Sequence, residues 1–206
     1  MYARSTTTRG NPQQIDSAIA YIRDEVMPAV QAMDGCIGMS MLVDRDSGRC
    51  IATTAWESEE AMHNSESGVH DLRMRYAETM GARPEVQEWE IAVLHRKHNA
   101  PDGAACRVIW GRGDPANADQ VLDTFRSSLL PRLEELPGFC SVSMMINRES
   151  GLSTSAVVYE TRDAMQRATE MGRALREEFN QQMGSEITEV AEFDLAVAHL
   201  RVPETV

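Results

Sequence analysis

The chain repeats itself at an interval of about 103 residues, and this repeat constrains the fold more than any other feature of the sequence. Residues 53–62 read TTAWESEEAM, and residues 156–165 read AVVYETRDAM. The same offset pairs the segments DRDSG (44–48) and NRESG (147–151). After one extra residue in the second copy, WEIAVLH (89–95) pairs with FDLAVAH (193–199). Self-similarity of this extent indicates two copies of one domain.

The repeat also predicts the domain boundary. The polar segment KHNAPDGA (97–104) lies between the copies and has the composition of a linker. We therefore place one domain at residues 1–97 and a second at residues 104–206. The chain has 206 residues, of which 42% are hydrophobic, and this is enough to form a core in each of two domains of about 100 residues.

Each copy predicts the element order strand, helix, strand, strand, helix, strand. A short strand, YARSTTT or ACRVIW, precedes a segment whose apolar residues recur at helical spacing. Two apolar runs around the Ser-Gly turn then predict a β-hairpin. Ser58 and Thr161 are suited to cap the second helix, which Gly68 is expected to interrupt in the first copy. Pro28 and Pro131 predict a kink or a tightened last turn in the first helix.

This element order predicts an α+β fold. Two βαββαβ units are typical of ferredoxin-like domains, in which two helices cover one face of an antiparallel sheet. The uncovered faces of the two sheets would then pack together, as they do between the subunits of a homodimer. We therefore expect two ferredoxin-like βαββαβ units forming an intrachain pseudo-dimeric α+β barrel.

Charge and cysteine usage exclude several classes of function. The net charge of −12 disfavours binding to nucleic acids and to anionic membrane surfaces. No apolar run reaches the roughly 18 residues that a membrane span requires, so a cytoplasmic location is expected. The four cysteines form no C-x-x-C pair and fall in or beside predicted strands, which favours buried, reduced thiols.

The strand-to-helix junction carries a family resemblance. AWESEEAM, preceded by MDGCIGMSMLVDRDSG, is similar to the antibiotic biosynthesis monooxygenase family of dimeric α+β barrels. The second copy resembles the same family through LPGFCSVSMMINRESG and YETRDAM. The similarity extends over most of each copy. It implies the barrel fold, but members of this superfamily include monooxygenases, haem-degrading enzymes, isomerases and proteins without known chemistry.

The resemblance also implies a site. The quinone-forming members of the family bind a polycyclic phenol between sheet and helices and oxidise its anion with dioxygen, without a metal or flavin. By position in the family motif, Trp56 and Arg73 would be catalytic. The positions expected to bind substrate are Ala52, Met62 and His70 in the first copy and Tyr159 and Arg176 in the second.

Three functions are therefore open. The first is a cofactor-independent monooxygenase that acts on an aromatic or polyketide-like phenol. The second is a non-catalytic small-molecule-binding or stress-related protein of the same fold. The third is a haem-binding or haem-degrading protein, although the positions of the tryptophan and the axial histidine in such relatives hold Ser65 and Met74 or Arg75. We expect a small apolar or aromatic ligand, no metal or cofactor, and a monomeric pseudo-dimer or a homodimer.

The differences between the copies predict that their pockets are unequal. The first copy has Trp56, His63 and His70, whereas the second has Tyr159, Gln166 and Arg173 and places Trp110 where the first has Thr7. Trp110 adds volume, so it is expected to fill the cavity of the second copy. The main pocket should then lie in the first copy, between its sheet and its second helix.

Overall fold

The structure is a computed structural model that describes residues 1–200 and 203–205, apart from the side chain of Leu200. Its strands are β1 (Tyr2–Arg9), β2 (Cys36–Asp44), β3 (Arg49–Trp56), β4 (Glu85–Arg96), β5 (Ala105–Arg112), β6 (Phe139–Ile146), β7 (Leu152–Tyr159) and β8 (Glu186–Leu200). Its α-helices are α1 (Ile15–Tyr21), α2 (Met27–Gln31), α3 (Glu59–Asn64), α4 (Glu66–Met80), α5 (Ala118–Thr124), α6 (Leu130–Leu133), α7 (Arg162–Arg167) and α8 (Thr169–Met183). Among the described residues, no helix has both the length and the apolarity needed to cross a bilayer.

The strand order confirms the predicted fold class. The eight strands are hydrogen-bonded in the order β1-β3-β2-β8-β5-β7-β6-β4 and form a closed barrel. In each copy the third strand lies between the first and second strands, as in a ferredoxin-like sheet. The protein is therefore an α+β barrel of two ferredoxin-like units.

Residue contacts divide the chain into two compact units. The first unit comprises Met1–Trp89 and a segment that begins at Leu195, and the second comprises Glu90–Asp194 and a segment that begins at Pro203. The first unit thus includes the last part of β8, where Val197 packs in its core. These units are defined by contacts, and the boundaries at residues 97 and 104 stay a prediction from the repeat.

The first helix of each copy contains a widened turn that the sequence analysis did not predict. Residues Ile22–Val26 and Phe125–Leu129 form π-helical turns immediately before the α-helical turns that contain Pro28 and Pro131. Proline lacks a backbone N–H and crowds the carbonyl four residues earlier, so the regular hydrogen-bond ladder cannot continue through it. The widened turn accommodates this defect. The expected tightened last turn is present after each proline, where Met33 and Leu136 donate to the carbonyls of Val30 and Leu133, three residues earlier.

The second helix of each copy is capped as predicted, but its interruption does not lie at the predicted residue. The Ser58 and Thr161 hydroxyl groups accept hydrogen bonds from the backbone N–H groups of Ala61 and Ala164. The helix is interrupted at Ser65 in the first copy and at Ala168 in the second. The expected break at Gly68 was wrong, because that residue lies within α4.

The predicted burial of the cysteines is largely confirmed. Cys50, Cys106 and Cys140 are buried, Cys36 is half-buried, and all four are free thiols. Each contact-defined unit has its own apolar core between its sheet and its helices. The two cores frame the cavities described next.

Candidate functional site

The second unit contains the larger internal cavity. Its volume is about 110 Å³, and its walls come from β5, β6, β7, α8 and the π-helical turn Phe125–Leu129. The corresponding cavity of the first unit has a volume of only about 30 Å³. A third space, of about 400 Å³, is an open depression beside Met33 and Asn64 and includes none of the predicted site residues. The expectation that the main pocket belongs to the first copy was therefore wrong.

Smaller side chains stand at two wall positions of the larger cavity. Gly172 stands where the first copy has Val69, and Val142 stands where it has Met39. All four residues line the cavity of their own unit, so these exchanges remove volume from the walls of the second one. Close packing in a protein interior means that lost side-chain volume remains as space unless the backbone moves.

Trp110 does not fill the second cavity, contrary to expectation. Side chains alternate between the two faces of a strand, and Arg107, Ile109 and Gly111 of β5 face the cavity. Trp110 therefore lies on the opposite face, where its ring contacts Phe193 edge-on at a centroid distance of 6.4 Å.

One end of the second cavity lies beside the segment that follows α8. In the first unit, the Asn11 N–H donates to the Met80 carbonyl at 3.0 Å, and Met80 is fully buried. In the second copy an additional residue follows the helix, and Met183 is only half-buried. Gly113 and Ser185 line the cavity there beside exposed Asp114. This end thus provides a route from solvent.

In the first unit, two arginines are neutralised by two carboxylates. The Arg4 guanidinium is 3% exposed and pairs with Glu66 at 3.1 Å and with Glu88 at 2.8 Å. Arg73 donates two hydrogen bonds of 2.9 Å to the carboxylate of Glu66. The hydrogen bond from Arg73 is the main reason why the pKa of Glu66 is lowered. These charges are compensated, so this small cavity has little capacity for an anion.

In the second unit, the equivalent arginines have only one such carboxylate. Arg107 is 2% exposed and donates to Glu192 at 2.6 Å and to the Thr169 hydroxyl at 2.9 Å. Its Nη1 atom, however, is buried and has no hydrogen-bond partner among the described residues. No carboxylate within the described parts of the chain lies at ion-pair distance from Arg176. Burial, followed by the charge of Arg107, lowers the pKa of Arg176.

Two exchanges in the repeat account for this difference. Ala168 replaces Ser65, whose hydroxyl accepts from Arg4 Nη1 at 3.2 Å, and Thr169 replaces Glu66. The second copy therefore lacks both groups that satisfy Nη1 in the first. We refer to Arg107 and Arg176 as the arginine pair.

The predicted site residues of the first copy fall into three environments. Trp56 and Met62 are buried in the core, and the Trp56 indole donates to the Thr54 hydroxyl at 3.0 Å. Ala52 and Arg73 line the small cavity. His70 lies on the outer surface of α4 with its side chain 58% exposed. The structure therefore does not bring these five residues together around one space.

The predicted residues of the second copy, in contrast, share the larger cavity. Tyr159 and Arg176 both line it, and the Arg107 guanidinium lies 5.9 Å from the centre of the Tyr159 ring. Burial is the main cause of the raised pKa of Tyr159. Sequence reasoning missed Arg107 as a site residue, although its alignment with Arg4 was a signal, because the two strands otherwise match only at Arg9 and Arg112.

Within the described residues, no group of three or more His, Cys, Asp or Glu side chains is placed to hold a metal ion. The cavity combines apolar walls with the Tyr159 phenol and the arginine pair, and its lining also includes the polar side chains of Asp114, Asn147, Arg148, Asn180 and three serines.

Comparisons with known proteins agree with this fold. The sequence model of the antibiotic biosynthesis monooxygenase family matches residues 1–74. The uncharacterized protein Rv2557 of Mycobacterium tuberculosis is 48% identical over 206 residues, which cover 100% of this chain and 92% of that protein. Rv2558 of the same organism is 46% identical over 207 residues, covering 100% of this chain and 88% of that protein.

Two solved structures are similar over nearly their full lengths. A candidate monooxygenase from Lactobacillus acidophilus NCFM has a TM-score of 0.70 at 14% identity, covering 97% of this chain and 96% of that one. An anthrone oxidase-like protein has a TM-score of 0.67 at 13% identity, with 97% and 93% covered. Identities this low show a shared fold. The match to the family model, the repeat of the matched segment in the second copy and these shared folds together show that the chain belongs to the antibiotic biosynthesis monooxygenase family.

Proposed function

We propose that the protein is a cofactor-independent monooxygenase that oxidises an aromatic or polyketide-like phenol in the cavity of the second unit. The observation that carries this proposal is a largely apolar cavity lined by the guanidinium groups of buried Arg107 and half-buried Arg176. Membership of the family and the fold shared with an anthrone oxidase-like protein support the reaction class.

The walls of the cavity suit a flat ring system. Phe125, Val142, Met144 and Phe179 contribute apolar and aromatic surface between the sheet and the helices. Ligand sites typically combine such walls with a few polar groups that orient the ligand. Methionine adds a side chain that adapts to different ring shapes. A polycyclic phenol entering beside Gly113 would bury its rings here.

The electrostatics of the cavity favour the reactive form of such a substrate. A nearby positive charge stabilises an aryloxide relative to the neutral phenol and so lowers the pKa of the bound hydroxyl group. The arginine pair supplies this charge in a site with few compensating carboxylates. Fixed charges in a poorly hydrated cavity act more strongly than the same charges in water. The aryloxide is electron-rich and can transfer electrons to dioxygen.

The overall reaction needs no external reductant. When a phenol becomes a quinone, one atom of dioxygen forms the new carbonyl group. The other atom leaves as water with the two hydrogens that the substrate loses. The substrate supplies all four electrons that reduce dioxygen, so atoms and electrons balance.

Oxygen uptake tests the proposal directly. The purified protein is mixed with a panel of anthrones and naphthols in an oxygen electrode cell, and quinone formation is followed by absorbance. We expect one dioxygen consumed per quinone formed. Arg176→Gln should lower kcat/KM at least tenfold, equivalent to about 1.4 kcal/mol of transition-state stabilisation.

Arg173→Gln is the matched control. Arg173 lies on the same helix but is exposed and paired with Glu170 and Glu177, so its loss should leave the rate unchanged. Binding of the panel without oxygen uptake would contradict the proposal and favour a non-catalytic binding protein of the same fold.

A further inference from the structure

We infer that the arginine pair is a carboxylate-binding subsite and that the ligand of the second cavity is an aromatic acid, a ring system that bears a carboxylate group. This inference rests on the proposed function because it concerns the same cavity, and it specifies the substrate class. The aryloxide of the proposed reaction would then form at another position of the ring system.

The geometry around Gly172 supports a shared binding point. A Cβ atom placed on Gly172 would lie 3.4 Å from Arg176 Nη1 and 3.9 Å from Arg107 Nη1. The two guanidinium groups therefore approach one small region of the cavity wall from different elements, β5 and α8. Because Gly172 has no side chain, this region is open to a ligand atom. In the first unit the side chain of Val69 takes the equivalent position.

The unsatisfied donor on Arg107 supports a ligand rather than a structural role. Arg107 is 2% exposed, and its Nη1 atom lacks a hydrogen-bond partner within the part of the chain that the structure describes. Buried donors without partners are rare because their desolvation is not compensated. The residue lines the cavity, so an acceptor bound there would remove this penalty.

A comparison of the carboxylates beside the arginines of each copy indicates which chemical group of a ligand should be the acceptor. The first unit sets the carboxylates of Glu66 and Glu88 against two arginines. The second unit keeps the equivalent of Glu88, which is Glu192, but has Thr169 in place of Glu66. A ligand carboxylate would restore the missing negative charge next to the same two arginines.

A carboxylate matches this site better than a phenol does. Its two oxygens can accept from two guanidinium groups at once, and such charge-assisted hydrogen bonds are among the strongest in proteins. It is also ionised at neutral pH before it binds. A phenol offers one oxygen and must first lose a proton. Glu192 cannot compensate both arginines, because it is already shared with Gln166 and Arg162.

Calorimetric titration with two probes of the same shape tests the inference. The probes are 1-naphthoate and its neutral analogue 1-naphthamide, and the wild-type protein should bind the acid at least tenfold more tightly. Thr169→Glu should abolish this preference, because it restores the carboxylate of the first copy. Thr169→Gln, which has similar size without the charge, should retain it. Arg176→Gln should lose the preference by removing one partner.

Equal affinity of the wild-type protein for acid and amide would overturn the inference, and so would equal effects of the Glu and Gln variants. Far-ultraviolet circular dichroism establishes that each variant is folded. If the Thr169 variants do not fold, an unchanged acid preference in Arg176→Gln is the contradicting result. Acid preference without oxygen uptake would contradict only the monooxygenase proposal. Turnover of neutral naphthols without acid preference would contradict only the carboxylate subsite.

Discussion

At the scale of single residues, the two cavities differ through exchanges between the copies. Neither exchange stands out when one copy is considered alone. Gly172 occupies the position of Val69 in the repeat, and Thr169 occupies the position of Glu66. The first exchange opens space, and the second removes the carboxylate that engages both arginines in the first unit. Both changes act within one turn of α8, so space and uncompensated charge arise at the same place.

Gly172→Ala should change stability and binding in opposite directions. Gly172 lies inside α8, where alanine is favoured over glycine by about 0.5–1 kcal/mol. The added methyl group would lie 3.4 Å from Arg176 Nη1, the flexible end of that side chain, so little else must move. Urea denaturation should show increased stability, while calorimetry should show 1-naphthoate binding at least tenfold more weakly. Unchanged binding would show that the acid does not occupy the space above Gly172.

At the scale of elements, the turn of the hairpin positions the open end of the cavity. The turn between β6 and β7 reaches Gly151, which has a φ of 71°, and its carbonyl accepts a hydrogen bond of 2.9 Å from the N–H of Gly113. Gly113 and Gly151 both line the cavity. The first copy repeats this contact between Gly48 and Gly10 at 3.1 Å. The hairpin glycine thus fixes where the segment after the first strand begins its helix.

Gly151→Ala should destabilise the protein by more than the energetic cost of a left-handed backbone conformation alone. An alanine Cβ at this position would lie 2.2 Å from the Gly113 carbonyl oxygen, so the backbone contact must open. We expect a loss of about 2 kcal/mol or more in the free energy of unfolding. The control is Gly184→Ala, where φ is 63° but no described residue other than the two chain neighbours has an atom within 4 Å of the added Cβ.

Thermal or urea denaturation of the two glycine variants gives the comparison. The control should lose only the cost of the left-handed conformation, about 1 kcal/mol. Equal losses at both positions would mean that the contact between Gly151 and Gly113 carries no stability of its own.

At the scale of the whole molecule, the two copies differ in the size of their cavities and in how their arginines are compensated. The first unit has a small cavity and compensated arginines, which favour a structural role, whereas the second has the larger cavity and the arginine pair. Duplication permits this division, because one copy can change its cavity while the other retains its packing. The family model, in contrast, matches the first copy.

Glu66→Gln should therefore affect stability and not ligand binding. Arg73 lowers the pKa of Glu66 in the folded state, so this carboxylate contributes stability above its unfolded pKa. That contribution is lost as the pH falls through the folded pKa. At neutral pH the variant should lose about 1 kcal/mol, the low end for a charged hydrogen bond, because the Glu66 side chain is 45% exposed.

Denaturation of wild type and variant at a series of pH values checks this expectation. The difference between them should shrink as the pH falls below the ordinary glutamate value of 4.5. Binding of 1-naphthoate should stay within about twofold of wild type, a difference well under 1 kcal/mol. A difference that does not vary with pH, or a tenfold loss of binding, would contradict the structural role of Glu66.

The sequence by itself determined the architecture. The repeat, the helical and strand periodicities, the Ser-Gly turns and the two helix caps are local patterns, and each predicts its element without reference to distant residues. Together they sufficed for two ferredoxin-like units in an α+β barrel. The alternation of side chains along β5 would also have placed Trp110 on the face opposite the cavity, and this local signal was not used.

Only the tertiary structure decided which copy holds the cavity and what it can bind. The exchanges at Val69 and Glu66 are visible in the repeat, but their meaning depends on which side chains lie opposite them. Arg107 comes from β5 and Arg176 from α8, 69 positions apart in the chain, and only packing brings both toward Gly172. Likewise, Trp56 has the family's catalytic position in the motif but lies fully buried in the core. Cavities and uncompensated charges arise from contacts between distant segments, whereas sequence patterns report the local segments alone.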